Sequence, residues 1–453
     1  MANQQLFKSS SGRLLPQTDT HNEAGGRAYR LSDPAALAQY VATGCLNATF
    51  YADAATQLDT VLRLCTAVEP AFIAKAAVYA RQRGYMKDMP ALLTAWLAQH
   101  GSDWLQPVFT QVIDNGRMLR NFVQILRSGV VGRKSLGSQP KRLVQNWLNE
   151  HSDLSLLSAS IGNHPSLADV LKMVHPKPAT LERAAFYAYL LGKPHDAGLL
   201  PEAVKALEHF KADGGADVPD IPFELLTALP LQPRHWVAIA CQASWQMTRM
   251  NLNTFARHEV FKVGGMAQRI ADRLRDPAAI RRARVFPYQL LSAYATTSEE
   301  VPEIVRDALQ DALEVALDNV PTLTGPVYIL LDVSGSMASP ITGHRKGATS
   351  KIHCVDVAAL IAAAISAKNP ETAILPFDTQ VHSIRLNRRD SVLTHAQTLA
   401  TFGGGGTHCA LPLQQLNQRK AISDLVIYVS DNESWADPQR GRGTETMLQW
   451  ETF

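Results

Sequence analysis

The sequence has few cysteines, and they are scattered. Five occur in 453 residues, and no two of them form a Cys-x-x-Cys pair. An odd, dispersed set argues against a zinc finger and favours a reducing compartment. We expect these thiols to pack in protein cores; they are Cys45, Cys65, Cys241, Cys354 and Cys409.

Long apolar runs are also absent. No window reaches 18 uninterrupted apolar residues, and the N-terminus, MANQQLFKSSSGRLL, has no apolar signal core. These features argue against secretion and membrane spanning, so we expect a cytoplasmic protein. The net charge is only +3, so any surface that binds nucleic acid must come from local clustering of basic residues.

Strand-like segments are scarce before residue 320. Residues 1–28 are rich in Ser, Gln, Asn and Gly and predict an extended arm or a poorly ordered tail. From residue 29 to 320, apolar residues recur at helical spacing, as in Leu58, Val61 and Cys65. This succession of short helices predicts an α-solenoid of irregular repeats, although no fixed sequence period is present.

One strand-like segment stands out near residue 330. The apolar run 327–331 predicts a buried parallel strand, and it ends in Asp332, followed by Ser334 and Ser336. In open α/β sheets, the loops at the carboxyl ends of the strands form the binding crevice. Carboxylate and hydroxyl oxygens suit Mg²⁺, Mn²⁺ or Ca²⁺ better than zinc.

Two later segments extend this pattern. Thr407 follows four glycines, and Asp431 follows the strand-like run 425–429. By itself, Asp-x-Ser-x-Ser is more simply interpreted as a Ser-rich turn that caps a helix. The three parts in this order instead predict a divalent-cation site, most simply for Mg²⁺, formed by Asp332, Ser334, Ser336, Thr407 and Asp431.

Basic residues are concentrated in two zones of the helical part. The zone from 117 to 142 holds seven Lys and Arg residues, and the only acid beside it is Asp114; a second zone runs from 249 to 284. Either zone is interpretable as a solvated helix face or as a surface for phosphate groups. The tryptophans of the helical part, Trp104, Trp147, Trp236 and Trp245, are expected in the core.

A set of ordered motifs resembles the Ro autoantigen family, in which a TROVE domain precedes a von Willebrand factor type A domain. The resemblance implies an all-α ring of HEAT-like helical repeats in residues 29–320 and a doubly wound, Rossmann-like α/β domain in residues 321–453. We interpret the chain as a bacterial member. The motifs are HPSLADVLKMVHPKP (164–178), IPFELL (221–226), MTRMNLNTF (247–255), ARVFPYQLLSAYA (283–295), DVSGSM (332–337), GGGGTHCALPL (403–413) and YVSDNESW (428–435).

The resemblance implies RNA binding without catalysis. Members of the family bind small noncoding Y RNAs on the outer basic surface of a monomeric ring. They admit single-stranded 3′ ends of misfolded or immature RNAs into the central hole. Bacterial members act in RNA processing and decay with exoribonucleases, such as polynucleotide phosphorylase. The divalent-cation site resembles the family's metal-ion-dependent adhesion site.

The motifs also imply roles for particular residues. Lys172, His175 and Lys177 stand where the family presents Y RNA contacts, although His175 alone is also interpretable as a helix-end histidine bound to a carbonyl. From charge alone, we expect Arg117 and Arg120 to face the hole. The residues that match the region facing RNA are Arg133, Lys134 and Arg142.

Two other functions remain open. A metal-dependent protein-adhesion scaffold with a peptide-binding solenoid would show weak salt dependence, whereas RNA binding would show a steep one. An RNA-processing hydrolase would lose product formation in Asp332→Ala without losing RNA binding. The resemblance implies at least one more strand and a terminal helix after Asp431, whereas only a loop and the helix-like ETMLQWETF follow it. We therefore expect either a truncated chain or a sheet that lacks an edge.

Overall fold

The chain consists of a long helical domain followed by an α/β domain. The computed structural model describes residues 15–44, 46–214, 216–344, 350–440 and 443–453. Residues 1–14 of the predicted arm, and Cys45, therefore lie outside the described residues. Within the described residues, no helix is both long enough and apolar enough to cross a membrane.

The helical domain begins with α-helices that pack on one core. This core runs from Leu37 to Val204 and includes fully buried side chains such as Phe122 and Phe186. The helices are α1 Asp33–Thr43, α2 Ala54–Ala67, α3 Pro70–Gln82, α4 Asp88–His100, α5 Ser102–Val112, α6 Gly116–Ser128, α7 Ser138–Glu150, α8 Asp153–Ala159, α9 Leu167–Val174, α10 Leu181–Leu190 and α11 Glu202–Ala212.

The later helices share a second core with the α/β domain. This core extends from Phe210 through Leu309 to strand residues such as Ile329 and Leu331, so the two domains have no solvent layer between them here. The helices are α12 Phe223–Leu226, α13 Pro233–Gln242, α14 Trp245–Met250, α15 Leu252–Arg257, α16 Met266–Arg275, α17 Pro277–Ala283, α18 Pro287–Thr296 and α19 Glu303–Ala316.

Local sequence signals explain where several helices begin. The Asn115 side chain accepts a hydrogen bond from the Met118 amide and caps α6. Ser166 and Asp169 form a reciprocal capping box at the start of α9. Such caps satisfy amides that have no partner within the helix.

The α/β domain is built on a parallel sheet. In order along the sheet, the strands are β4 Thr372–Phe377, β3 Val327–Asp332 and β5 Leu425–Val429. Asp332 pairs with Phe377 and Leu331 pairs with Val429, so all three strands end at the same edge. The helices of this domain are α20 Cys354–Lys368, α21 Val392–Leu399, α22 Ala410–Gln418 and α23 Glu445–Thr452.

Residues 15–28 of the predicted arm form a hairpin that packs on the α/β domain. Strand β1 Thr20–His21 pairs antiparallel with β2 Arg27–Ala28. The side-chain amide of Asn22 donates to the Ser434 carbonyl (2.8 Å), and the main-chain amide of Ala24 donates to the Glu433 carboxylate (3.0 Å). A second short hairpin joins β6 Gln439–Arg440 to β7 Gly443–Thr444.

The predicted fold class is confirmed, with local corrections. Helices α8, α15 and α17 each cover fewer than two and a half turns, so they carry little periodic signal in the sequence. Trp147, Trp236 and Trp245 are buried as expected. The prediction for Trp104 was wrong, because its side chain is 41% exposed at the start of α5.

Candidate functional site

The predicted metal residues converge at the carboxyl edge of the sheet. Asp332 is completely buried at the end of β3, and the turn after it places the hydroxyls of Ser334 and Ser336 3.3 Å apart. Both serines are also buried. The Ser334 amide donates to one carboxylate oxygen of Asp332 (2.8 Å), which fixes the turn directly beneath the site.

The glycine-rich loop brings Thr407 to the same place. The Gly404 amide donates to the Val333 carbonyl, and the Gly335 amide donates to the Gly405 carbonyl, each at 2.9 Å. Gly403 has a φ of 102°, and a side chain there would collide with the Val333 carbonyl. The loop therefore needs glycine for this close approach, and it leaves the Thr407 side chain 1% exposed.

The second carboxylate comes from the end of β5. Asp431 is exposed, and the adjacent Ser430 hydroxyl donates to the second carboxylate oxygen of Asp332. Burial raises the pKa of Asp332, hydrogen bonds from Ser334 and Ser430 oppose this effect, and the negative charge of Asp431 adds to it. A bound cation would offset both the cost of burying the charged carboxylate and its repulsion by Asp431, so this oxygen-rich set fits a divalent cation.

The donor types decide which metal fits. Across the described ranges, no group of three or more His, Cys, Asp or Glu side chains is positioned to hold a metal ion. The predicted site instead combines two carboxylates with three hydroxyls, which are hard donors suited to Mg²⁺, Mn²⁺ or Ca²⁺.

Sequence reasoning missed two polar residues beside this site. Asp378 follows β4, is buried, and accepts a hydrogen bond from the Gly405 amide (3.2 Å), so it supports the glycine loop. Its position after a strand was a usable signal. Tyr51, from the helical domain, brings its hydroxyl close enough to interact with the side chains of Ser336 and Thr407, and no local pattern indicated this.

The predicted RNA-binding residue Lys134 lies where α6, α7 and α9 meet. A pocket of about 510 Å³ there is lined by the cations Arg127, Lys134 and Lys141 and by the hydroxyl residues Ser135 and Ser138. Because it lies at the N-terminus of α7, the pocket combines cations with a helix end that favours anions. The single acid of this zone, Asp114, is paired with Arg81 at 2.8 Å.

The predicted Y RNA residues lie on and just after α9, whose Met173 lines this pocket. Lys172, His175 and Lys177 are all exposed. Side chains of α7 hold the end of α9, since the Gln145 amide donates to the Val174 carbonyl (2.6 Å). We call the surface formed by Arg127, Lys134, Lys141, Arg142, Lys172, His175 and Lys177 the α7–α9 basic face.

The other three predicted residues differ in exposure. Arg133 is half-buried and donates to the carbonyls of Ala98 (2.8 Å) and Ser135 (2.9 Å), so its guanidinium holds the loop together. Arg117 is exposed, whereas Arg120 is half-buried against the turn at Gly162. Burial lowers the pKa of Arg120, and the charge of Arg117 lowers it further.

Five of the nine cations in the second basic zone contact carbonyls or carboxylates of the chain. Arg273 donates to the carbonyls of Ala240 (2.6 Å) and Cys241 (2.8 Å), and Arg249 donates to the Gln289 carbonyl (2.8 Å). Other cations of this zone pair with acids; the pairs are Lys262–Glu259, Arg275–Asp311 and Arg281–Asp318. Its charge count therefore overstates what is available to an external anion.

Comparison with known proteins agrees with this architecture. Residues 327–443 match the family model described as the Ro60 vWA domain. The chain is 26% identical over 468 residues to an RNA-binding protein RO60 of Deinococcus radiodurans, which covers 93% of this chain and 85% of that protein. An RNA-binding protein RO60 of Caenorhabditis elegans is 26% identical over 178 residues, which is 37% of this chain and 27% of that protein.

A solved structure shows the same fold. The crystal structure of the Deinococcus radiodurans Ro (RSR) protein superimposes with a TM-score of 0.64 at 21% identity and covers 93% of this chain and 90% of that one. The class is therefore a helical-repeat domain joined to a von Willebrand factor type A domain. Within that class, the chain is a relative of the Ro proteins, and the family resemblance predicted from its motifs is confirmed.

Proposed function

We propose that this chain is a Ro-type RNA-binding protein. It binds structured noncoding RNA, of the Y RNA kind, on the α7–α9 basic face. It also takes single-stranded 3′ ends of misfolded or immature RNAs through the opening of the helical domain and so acts in RNA quality control, processing and decay. The names of the two relatives reported above, each an RNA-binding protein RO60, support the RNA-binding part of this proposal.

The carrying observation is the contrast between the two basic zones. Five of the nine cations of the second zone contact carbonyls or carboxylates, whereas Lys134, Lys172 and Lys177 are exposed, and Lys134 also lines the pocket at the start of α7. Free cations that release counterions from phosphates supply most of the affinity for nucleic acid. Hydroxyls and a helix N-terminus beside them add hydrogen-bond donors for phosphate oxygens.

The ends of the chain support a closed arrangement of the helical domain. The N-terminal hairpin contacts the segment 433–434, while the last helices share a core with the sheet. Between the early and late parts of the helical domain, the Arg284 guanidinium approaches the Tyr85 hydroxyl (3.4 Å), and the Tyr85 ring meets the Phe286 ring edge to face at 5.6 Å. We propose that this circuit encloses the opening that admits an RNA end and that Arg117 and Arg120 line it.

The test compares one structured RNA with and without a single-stranded 3′ tail, in Mg²⁺, across a salt series. Tighter, salt-sensitive binding of the tailed RNA is the expected result. Binding that ignores the tail would remove the proposed role of the opening and leave the outer face to be tested alone. An absence of RNA binding would favour the peptide-binding scaffold, whose affinity should depend little on salt.

The candidate metal site has a separate role in this proposal. Asp332, Asp431 and three hydroxyls would hold a divalent cation, most simply Mg²⁺, with only two formal negative charges from the protein. Such an ion supplies an electrophilic centre that accepts an acidic group, including one from an exoribonuclease partner. We propose binding rather than hydrolysis as its role, because hydrolysis would require a second metal or a positioned base.

A further inference from the structure

A short segment of the helical domain docks beside the candidate metal site. Between α1 and α2, the Ala48 carbonyl accepts a hydrogen bond from the His344 amide (2.8 Å), and the Asn47 side chain donates to the Thr342 carbonyl (3.0 Å). The Gln57 side chain of α2, which is 4% exposed, donates to the Asn47 carbonyl (2.6 Å). The segment is therefore fixed at both of its faces.

This docking carries Tyr51 to the metal residues. Its hydroxyl lies near the side chains of Ser336 and Thr407 and within the field of Asp431 and Glu433. The neighbouring Phe50 ring meets the Tyr51 ring edge to face at 4.8 Å and restricts its orientation. A phenol both donates and accepts hydrogen bonds, so it can bind a metal-bound water or contribute its own oxygen.

We propose that Tyr51 is the helical domain's contribution to the divalent-cation centre, a positioning residue that joins the ion to the N-terminal segment. The inference rests on the proposed metal site and goes beyond it, since the five predicted ligands all belong to the α/β domain. Two consequences follow. Binding of the cation stabilises the contact between segment 46–52 and the α/β domain, and an external acidic group must compete with the Tyr51 hydroxyl.

The test measures cation affinity in the full chain. Mn²⁺ or Mg²⁺ is titrated by calorimetry into the parent protein, Tyr51→Phe and Asp332→Asn, and the thermal midpoint of each is recorded with and without Mg²⁺. Tyr51→Phe keeps the ring and removes only the hydroxyl. Loss of one hydrogen bond to a charged centre corresponds to about a tenfold weaker affinity. The rise in midpoint caused by Mg²⁺ should shrink with it.

Tyr79→Phe is the matched control, because Tyr79 lies on α3 with its side chain 65% exposed, far from any predicted ligand in sequence. It should bind cation like the parent. Unchanged or tighter affinity in Tyr51→Phe, with binding still abolished in Asp332→Asn, would overturn the role of Tyr51 and keep the metal site. Absence of saturable, Asp332-dependent binding in the parent would overturn both.

Discussion

The strongest test of the α7–α9 basic face removes two of its pocket cations. In Lys134→Ala/Lys141→Ala, both changes lie in the wall of the pocket at the start of α7. Each lysine that neutralises a phosphate contributes about 0.7 to 0.9 to the slope of log affinity against log salt. The double variant should therefore have a slope smaller by about 1.4 to 1.8.

The same relation predicts the loss of affinity. If the double variant differs from the parent only in counterion release, a slope change of that size at about 0.15 M salt corresponds to binding that is weaker by about 15- to 30-fold. Fluorescence anisotropy with one structured RNA, recorded from about 50 to 200 mM salt, measures both quantities. Lys134 is exposed and Lys141 is half-buried, so we expect the fold to persist, which circular dichroism would verify.

A matched variant controls for net charge. Lys262→Ala/Arg281→Ala removes the same two charges from the second basic zone, where each cation already pairs with an acid. Its salt slope should stay within experimental error of the parent. Equal losses in the two double variants would refute the reasoning, because the effect would then follow total charge and not the free cations of one surface.

Three further predictions concern single features. Lys172→Glu/Lys177→Glu should weaken binding of a structured noncoding RNA in the same assay. The control Lys205→Glu/Lys211→Glu, at lysines paired with Glu202 and Glu208, should not weaken it. Unchanged affinity in the first variant would show that the end of α9 is not part of the interface. Gly403→Ala should lower the free energy of unfolding, measured in urea, by more than about 2 kcal/mol, because strain at positive φ adds to a collision with Val333. The control Gly404→Ala, at a φ of 103° with open space around it, should lower it by only about 1–2 kcal/mol. Equal losses in the two variants would show that the collision does not contribute. Arg273→Ala should lower the free energy of unfolding by about 2–3 kcal/mol without weakening RNA binding. The control Arg269→Ala, at an exposed position on the same helix, should change it by less than about 0.5 kcal/mol. A loss of RNA affinity in Arg273→Ala would show that this arginine is not solely structural.

The candidate metal site was predictable because its signals are local. Asp332 and Asp431 each follow a short apolar run, and parallel strands end at one edge of a sheet, so their convergence follows from the pattern. The glycines before Thr407 likewise mark a close backbone approach, which Gly403 makes against Val333. Asp378 has the same signal after β4 and could have been found by the same reasoning.

The use of each cation was not predictable in this way. Arg273 and Arg275 look equivalent to Lys134 in a charge count, yet their partners lie more than 30 residues away in the chain, at Cys241 and Asp311. Main-chain carbonyls leave no trace in the side-chain sequence, so a basic zone that binds its own backbone cannot be told from one that faces solvent. Arg133, predicted from the family motif, binds Ala98 for the same reason.

The contact between the N-terminal hairpin and the segment 433–434 could not be predicted from the sequence either, and it lies beside the candidate metal site. The amide of Ala24, which precedes α1, donates to Glu433, two residues after Asp431, and the hydroxyl of Tyr51, which follows α1, lies near the Ser336 side chain. Trp435 lies against Gly406 in the loop that presents Thr407. A cation held by the five predicted ligands would therefore lie where the N-terminal segments meet the α/β domain. Because a ligand that binds only the assembled site stabilises that assembly by linkage, cation binding should protect the amides of segment 46–52 from hydrogen exchange more than those of α10, which is remote from the junction.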